Sequence, residues 1–118
     1  MLKKDSRIGK NKEFDRAFKL GQSFYGKFLS AKIVDNNLGR LRLGVLVSTK
    51  ISKKAPIRNL VKRRIRSALR QSVVSLEDGK DVVIVALPLI LDKNFKEIKT
   101  LIKDILNKAG VLVKKDND

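Results

Sequence analysis

The run from Asp81 to Leu87 limits what this chain can fold into more than any other segment. Val82, Val83, Ile84, Val85 and Ala86 follow one another without a polar interruption. An alternating strand hides one face, whereas an unbroken apolar strand must hide both. It therefore belongs in the middle of a sheet, and the rest of the chain must supply its neighbours and its cover. The chain has 118 residues, 42% of them apolar, which suits one domain with an ordinary core. We expect a single domain over residues 1–118, with 1–8 and 111–118 as flexible ends.

The neighbours are legible from periodicity. Phe14, Ala17 and Phe18 recur at helical spacing between Asn11, a capping residue, and Gly21, which can close the helix. From Ser23 to Val34, Leu29, Ala31 and Ile33 alternate with Phe28, Ser30 and Lys32, which reads as a strand with room for an extra short strand near Phe24. After the turn Asp35-Asn36-Asn37-Leu38-Gly39, Leu41, Leu43, Val45 and Val47 alternate with Arg42, Gly44, Leu46 and Ser48, and the two segments are expected to pair as an antiparallel hairpin. Pro56 suits the first turn of a helix. Ile57, Leu60, Val61, Ile65, Ala68, Leu69 and Val73 then form one apolar arc, with Arg58, Asn59, Lys62, Arg63, Arg66 and Arg70 on a separate one. Arg64 falls within the apolar arc and must snorkel out or find an acceptor. Asn94 with Glu97 forms a capping box for a last helix carrying Ile98, Leu101, Ile102, Ile105, Leu106 and Ala109, ended by Gly110. The order αββ(β)αβα predicts an α+β sandwich, one sheet with helices packed on it.

Charge is distributed unevenly along this frame. Twenty-eight Lys and Arg oppose 12 Asp and Glu, a net charge of +16, and residues 36–76 hold eleven of the cations and no carboxylate. Residues 77–118 are neutral overall, and all nine arginines precede residue 71. Mixed signs serve solubility better than a one-signed block, so the block points to a polyanion, and arginine's planar fork favours nucleic acid. A solvated helix face is the plainer alternative, but such faces usually alternate signs.

Several chemistries are excluded outright. Without Cys or His there is no thiolate zinc site, no cysteine nucleophile and no Ser-His-Asp triad. Glu77, Asp78 and Asp81 are the only clustered carboxylates near a strand end, and they read as solvating a Gly-containing turn rather than holding two metals. No catalytic residue and no metal ligand is assigned. No apolar run reaches the roughly 18 residues that span a bilayer, and Met1-Leu2-Lys3-Lys4-Asp5 begins no signal segment, so a cytoplasmic location is expected. Phe14, Phe18, Phe24, Tyr25 and Phe28 fall within fifteen residues. Phe14 and Phe18 are either core residues or, beside Phe28, Ser30 and Lys32, part of a cleft where single-stranded bases stack.

The segment from Lys53 to Arg70, with its Arg-Asn-x-x-Lys-Arg core at Arg58 to Arg63, resembles the RNR motif of the bacterial ribonuclease P protein subunit family. The resemblance extends to residues 11–21, 42–48 and 79–86, in the family's order. It implies a fold like the second domain of ribosomal protein S5, with a left-handed β-α-β crossover where the general rule favours the right-handed form. It also implies an accessory subunit of an endoribonuclease that binds a catalytic RNA and the 5′ leader of precursor tRNA, the RNA hydrolysing the phosphodiester with Mg²⁺. On this resemblance Lys53, Lys54, Arg58, Asn59, Lys62, Arg63, Arg66 and Arg70 contact the RNA. Phe14, Phe18, Phe28, Lys32, Ser48 and Lys50 line the leader cleft. No cofactor is held by the protein alone, and neither a membrane nor a protein partner is required. Lys32 stands where many relatives carry an aromatic residue, which suggests a phosphate contact, and Lys53-Lys54 replaces a common Gly-Asn.

Two other functions compete on the residues alone. A structural ribosomal-type RNA-binding protein would use the same basic helix but leaves the aromatic cluster without a task. A DNA-binding helix-turn-helix module needs a second helix beside the basic one, where strand patterns stand instead.

Overall fold

The computed structural model describes Ile8, residues 11–72 and residues 79–110. Expectations for Val73, Glu77, Asp78 and the C-terminal tail lie outside these residues. Ile8 departs from the flexible end assigned to it: it is buried, and its N–H donates to the Leu43 carbonyl at 2.8 Å.

The elements run α1 (Asn11–Leu20), β1 (Gln22–Tyr25), β2 (Leu29–Asp35), β3 (Arg42–Leu46), α2 (Ala55–Ser72), β4 (Lys80–Ala86), a short 3-10 helix (Pro88–Asp92) and α3 (Phe95–Ala109). The extra short strand allowed for near Phe24 is present as β1, and the chain folds back into β2 at Gly26, whose N–H donates to the Leu29 carbonyl. All four strands form one mixed sheet in the order β1-β2-β4-β3. β4 is central as its composition requires, antiparallel to β2 and parallel to β3.

That order corrects the hairpin expected between β2 and β3, because β4 lies between them. The intervening loop wraps the start of β4 instead of turning tightly. Asn36 is buried, its N–H donates to the Gly79 carbonyl at 3.0 Å, and its side-chain amide donates to Asp81 Oδ1 at 2.8 Å and to the Arg40 carbonyl at 2.9 Å. Alternation fixes which face each residue takes but not which strand lies alongside. A strand apolar on both faces, as β4 is, gains most from a neighbour on either edge.

Each sheet face has its own core. Leu29, Ala31, Ile33, Leu43, Val45, Val82, Ile84 and Ala86 pack against α2 and α3 through Val61, Ile65, Leu69, Ile98, Ile102 and Leu106. The opposite face packs α1, with Ile8, Ala17 and Val83 buried together and Phe14, Val34, Leu46 and Val85 around them. α3 has the ends expected of it: Asn94 and Glu97 form the reciprocal capping box, and Gly110 closes the helix at φ 71°. α2 begins its core contact later than its apolar arc suggests, since Ile57 and Leu60 are 37% and 39% exposed.

Candidate nucleic-acid interface

α2 opens from a loop pinned by its own backbone. Ser52 Oγ accepts from the Lys54 N–H at 3.1 Å, and the Lys54 carbonyl accepts from Ile57 and Arg58 as the first helical turn closes. The first turn carries no acidic residue, so nothing offsets the positive end of the helix dipole, where N–H groups lack intrahelical acceptors. Lys53, Lys54, Asn59, Arg63, Arg66 and Arg70 are exposed, while Arg58 and Lys62 are half-buried. Arg58 Nη1 donates to the Ser52 carbonyl at 2.9 Å, fixing its guanidinium against the loop. Burial, then the charge of Arg66 one turn on, lowers the Lys62 ammonium below its ordinary pKa. Among the described residues none of these cations forms an ion pair with a carboxylate. Arg64 resolves its awkward position by donating to the Lys93 carbonyl at 3.2 Å.

The second set of residues occupies the α1 face of the sheet, which strand register arranges in rows. One row is Arg42, Asp81 and Val34; the next is Gly44, Val83, Lys32 and Ser23; the third is Leu46, Val85, Ser30 and Tyr25. α1 crosses the first two. Phe14 lies on Gly44, where a Cβ would stand 2.8 Å from the ring, so only glycine lets the helix approach this closely. Phe18 reaches Lys32, whose Nζ stands 5.6 Å from its ring centre. Cover then thins: Val83 is fully buried, whereas Leu46 and Val85 in the third row are only partly so. This partly uncovered third row, with Leu46 and Val85 beside buried Ser30 and flanked by Phe18 and Lys32, is the candidate trough. Phe14 is thus largely a packing residue, while Phe18, at 42% exposure, is not.

The remaining cleft residues separate. Phe28 does not join Phe14 and Phe18: it packs with the α2/α3 core, its ring 4.5 Å from Lys93 Nζ. It precedes the first residue of β2, so the pleat that sets the faces of Ser30 and Lys32 does not extend to it. Ser48 and Lys50 lie exposed in the turn after β3, with Ser48 Oγ accepting from the Lys50 N–H at 3.2 Å. Tyr25 and Ser23, outside the expected cleft set, are put beside Lys32 by β1: Nζ donates to Ser23 Oγ at 2.5 Å and stands 5.3 Å from the Tyr25 ring centre. Their alternation with Phe24 was the available signal.

Asp81 corrects a further expectation. It does not solvate a turn: fully buried, it accepts Arg42 Nε at 2.8 Å and Nη2 at 2.6 Å. Arg42 Nη1 reaches Glu13 Oε1 at 3.0 Å, tying α1 to β3 and β4. The Asp81 hydrogen bonds raise the Arg42 pKa further and keep the guanidinium charged.

Fold and site together define a class: a small, basic α+β sandwich that displays on one helix cations with no carboxylate partner among the described residues, and a lysine-bearing aromatic trough on the opposite face of its sheet. Residues 2–110 match the family model for Ribonuclease P. The ribonuclease P protein component of Pseudanabaena sp. is 35% identical over 113 residues, 95% of this chain and 97% of that one. That of Clostridium botulinum (strain 657 / Type Ba4) is 36% identical over 109 residues, 92% of this chain and 97% of the relative. Among solved structures, the Staphylococcus aureus RNase P protein superposes with a TM-score of 0.84 at 29% identity, over 91% of this chain and 97% of its own. The chain belongs to the ribonuclease P protein family.

Proposed function

We propose that this subunit binds the catalytic RNA of ribonuclease P through the N-terminal turns of α2 and the Lys53-Lys54 loop, and holds the 5′ leader of precursor tRNA along the trough beneath α1. The observation that carries the reading is α2 itself, a helix whose exposed cations have no carboxylate partner among the described residues and whose N-terminus adds a positive dipole end. The third row of the sheet face runs from β3, which leads into the α2 loop, outward to β1. A strand of RNA lying in it would pass from the helix bound to the catalytic RNA to the sheet edge. Hydrolysis of the phosphodiester, with Mg²⁺, is the work of the RNA. The protein raises affinity for substrate and neutralises phosphate where the two RNAs meet.

The test is reconstitution with the cognate ribonuclease P RNA at low Mg²⁺ and cleavage of a precursor tRNA at its mature 5′ end. The protein is expected to stimulate cleavage strongly and to cleave nothing alone. Absence of stimulation with the cognate RNA would refute the reading, as would EDTA-sensitive cleavage by RNA-free protein.

A further inference from the structure

Lys32 Nζ lies between the rings of Phe18 and Tyr25. Phe18 is 42% exposed and Tyr25 66% exposed, and Tyr25 belongs to neither core cluster. The ammonium gives one N–H to Ser23 Oγ and pairs with no carboxylate among the described residues, so it has further donors to offer. The Ser23 hydroxyl, then the Lys32 charge, hold the Tyr25 phenol below the usual tyrosine value. The ammonium lies over the Tyr25 ring, 5.3 Å from its centre, and 5.6 Å from that of Phe18. An exposed ring beside an unpaired, positioned cation offers a π-face for a base and a counter-charge for its phosphate.

We propose that Tyr25, Lys32 and Phe18 form a one-nucleotide subsite at the β1 edge of the trough, with a base stacked on Tyr25 and its phosphate on Lys32. The neighbouring strand thereby supplies the aromatic platform that position 32 does not. The proposal rests on the leader reading above and fixes where the leader ends its contact. Tyr25 stands three strand spacings, about 14 Å, from Leu46 at the β3 end of the row, so only a leader several nucleotides long reaches it. Stacking of this kind accepts any base.

The experiment measures Kd of the reconstituted holoenzyme for precursor tRNAs with a leader of one nucleotide and of several, at fixed salt and Mg²⁺. For Tyr25→Leu we expect a loss of roughly five- to tenfold on the long leader, the low end of measured stacking contributions, with none on the short one. Tyr25→Phe should stay close to wild type. Lys32→Gln should reduce the long-leader salt slope by about 0.7. Tyr25 is the only tyrosine in a chain without tryptophan, so quenching of its fluorescence by a short single-stranded oligoribonucleotide reports stacking directly. Unchanged long-leader affinity in Tyr25→Leu, with a loss in Phe18→Leu, would sink the subsite and leave the trough standing. Equal losses on both leaders would mean Tyr25 acts through the fold and would sink it too. If none of these variants separates the two leaders, the trough reading falls with it.

Discussion

At the scale of single residues, the strongest commitment in the fold is the bidentate Arg42–Asp81 pair, because Asp81 is wholly shielded from water and Asn36 donates to the same carboxylate. Removing one partner of a buried pair strands the other charge, at a cost of about 3–5 kcal/mol. That is a large part of the roughly 5–15 kcal/mol that holds a domain of this kind together. Asp81→Ala should therefore lower the urea midpoint sharply, and substituting Leu at both Arg42 and Asp81 should recover much of the loss. A small effect of Asp81→Ala alone would show that water or another donor reaches the site. Gly44→Ala belongs to the same scale. Its methyl would press on the Phe14 ring and stand 3.2 Å from Ile8 Cβ, so a loss of about 1–3 kcal/mol is expected from overpacking. None of this was visible in the sequence. Asp81 follows a glycine turn, where carboxylates are usually solvated, and its partner lies 39 residues away.

At the scale of elements, what could be read was what is local. The ends of α3 follow from Asn94, Glu97 and Gly110, residues that act within a turn of themselves. The apolar and cationic arcs of α2 follow from helical period alone. Strand order did not, because Leu43 and Val45 face the same core whichever strand lies beside them, and Phe28 missed its expected face by standing one residue outside the pleat. α2 also carries an internal cost, since Lys62 and Arg66 are like charges one turn apart, worth about 0.3 kcal/mol against the helix. Because the folded pKa of Lys62 lies below its ordinary 10.5, the folded state binds fewer protons between the two values. Stability therefore rises with pH across that window. Lys62→Met should flatten this rise while weakening RNA binding. Alanine at Arg58, Lys62 and Arg66 together should reduce the log-log salt slope of RNA binding by about two units, each phosphate contact being worth roughly 0.7–0.9. Lys103, exposed on α3, is the proper control. Lys108 is not, because its ammonium donates to the Tyr25 carbonyl at 2.9 Å. An unchanged slope would mean that this face does not meet phosphate.

At the scale of the molecule, a net charge of +16 within extents of 41 × 34 × 26 Å sets the free protein against itself. At 0.01 M salt the screening length is about 30 Å, so nearly every cation feels every other; at 0.15 M it is about 8 Å and only neighbours matter. Unfolding separates the charges, so self-repulsion favours the unfolded chain and salt removes that bias. Opposing contributions are weak, because Lys80–Asp35 and Lys93–Glu97 lie toward the surface and such pairs contribute little. The buried Arg42–Asp81 pair is screened far less than either. The melting temperature of the free protein, followed by circular dichroism, should therefore rise between 0.01 and 0.15 M sodium chloride. Relief of about 1 kcal/mol would correspond to roughly 4 °C. A polyanion that binds the folded state should stabilise it further at equal ionic strength, by about 2.7 kcal/mol at a hundred times its Kd. Neutralising Arg58, Lys62 and Arg66 should shrink both effects together, since the same cations repel in isolation and attract RNA in the complex. A melting temperature that falls with added salt would show instead that surface ion pairs outweigh the repulsion, and would uncouple the charge of this chain from its folding.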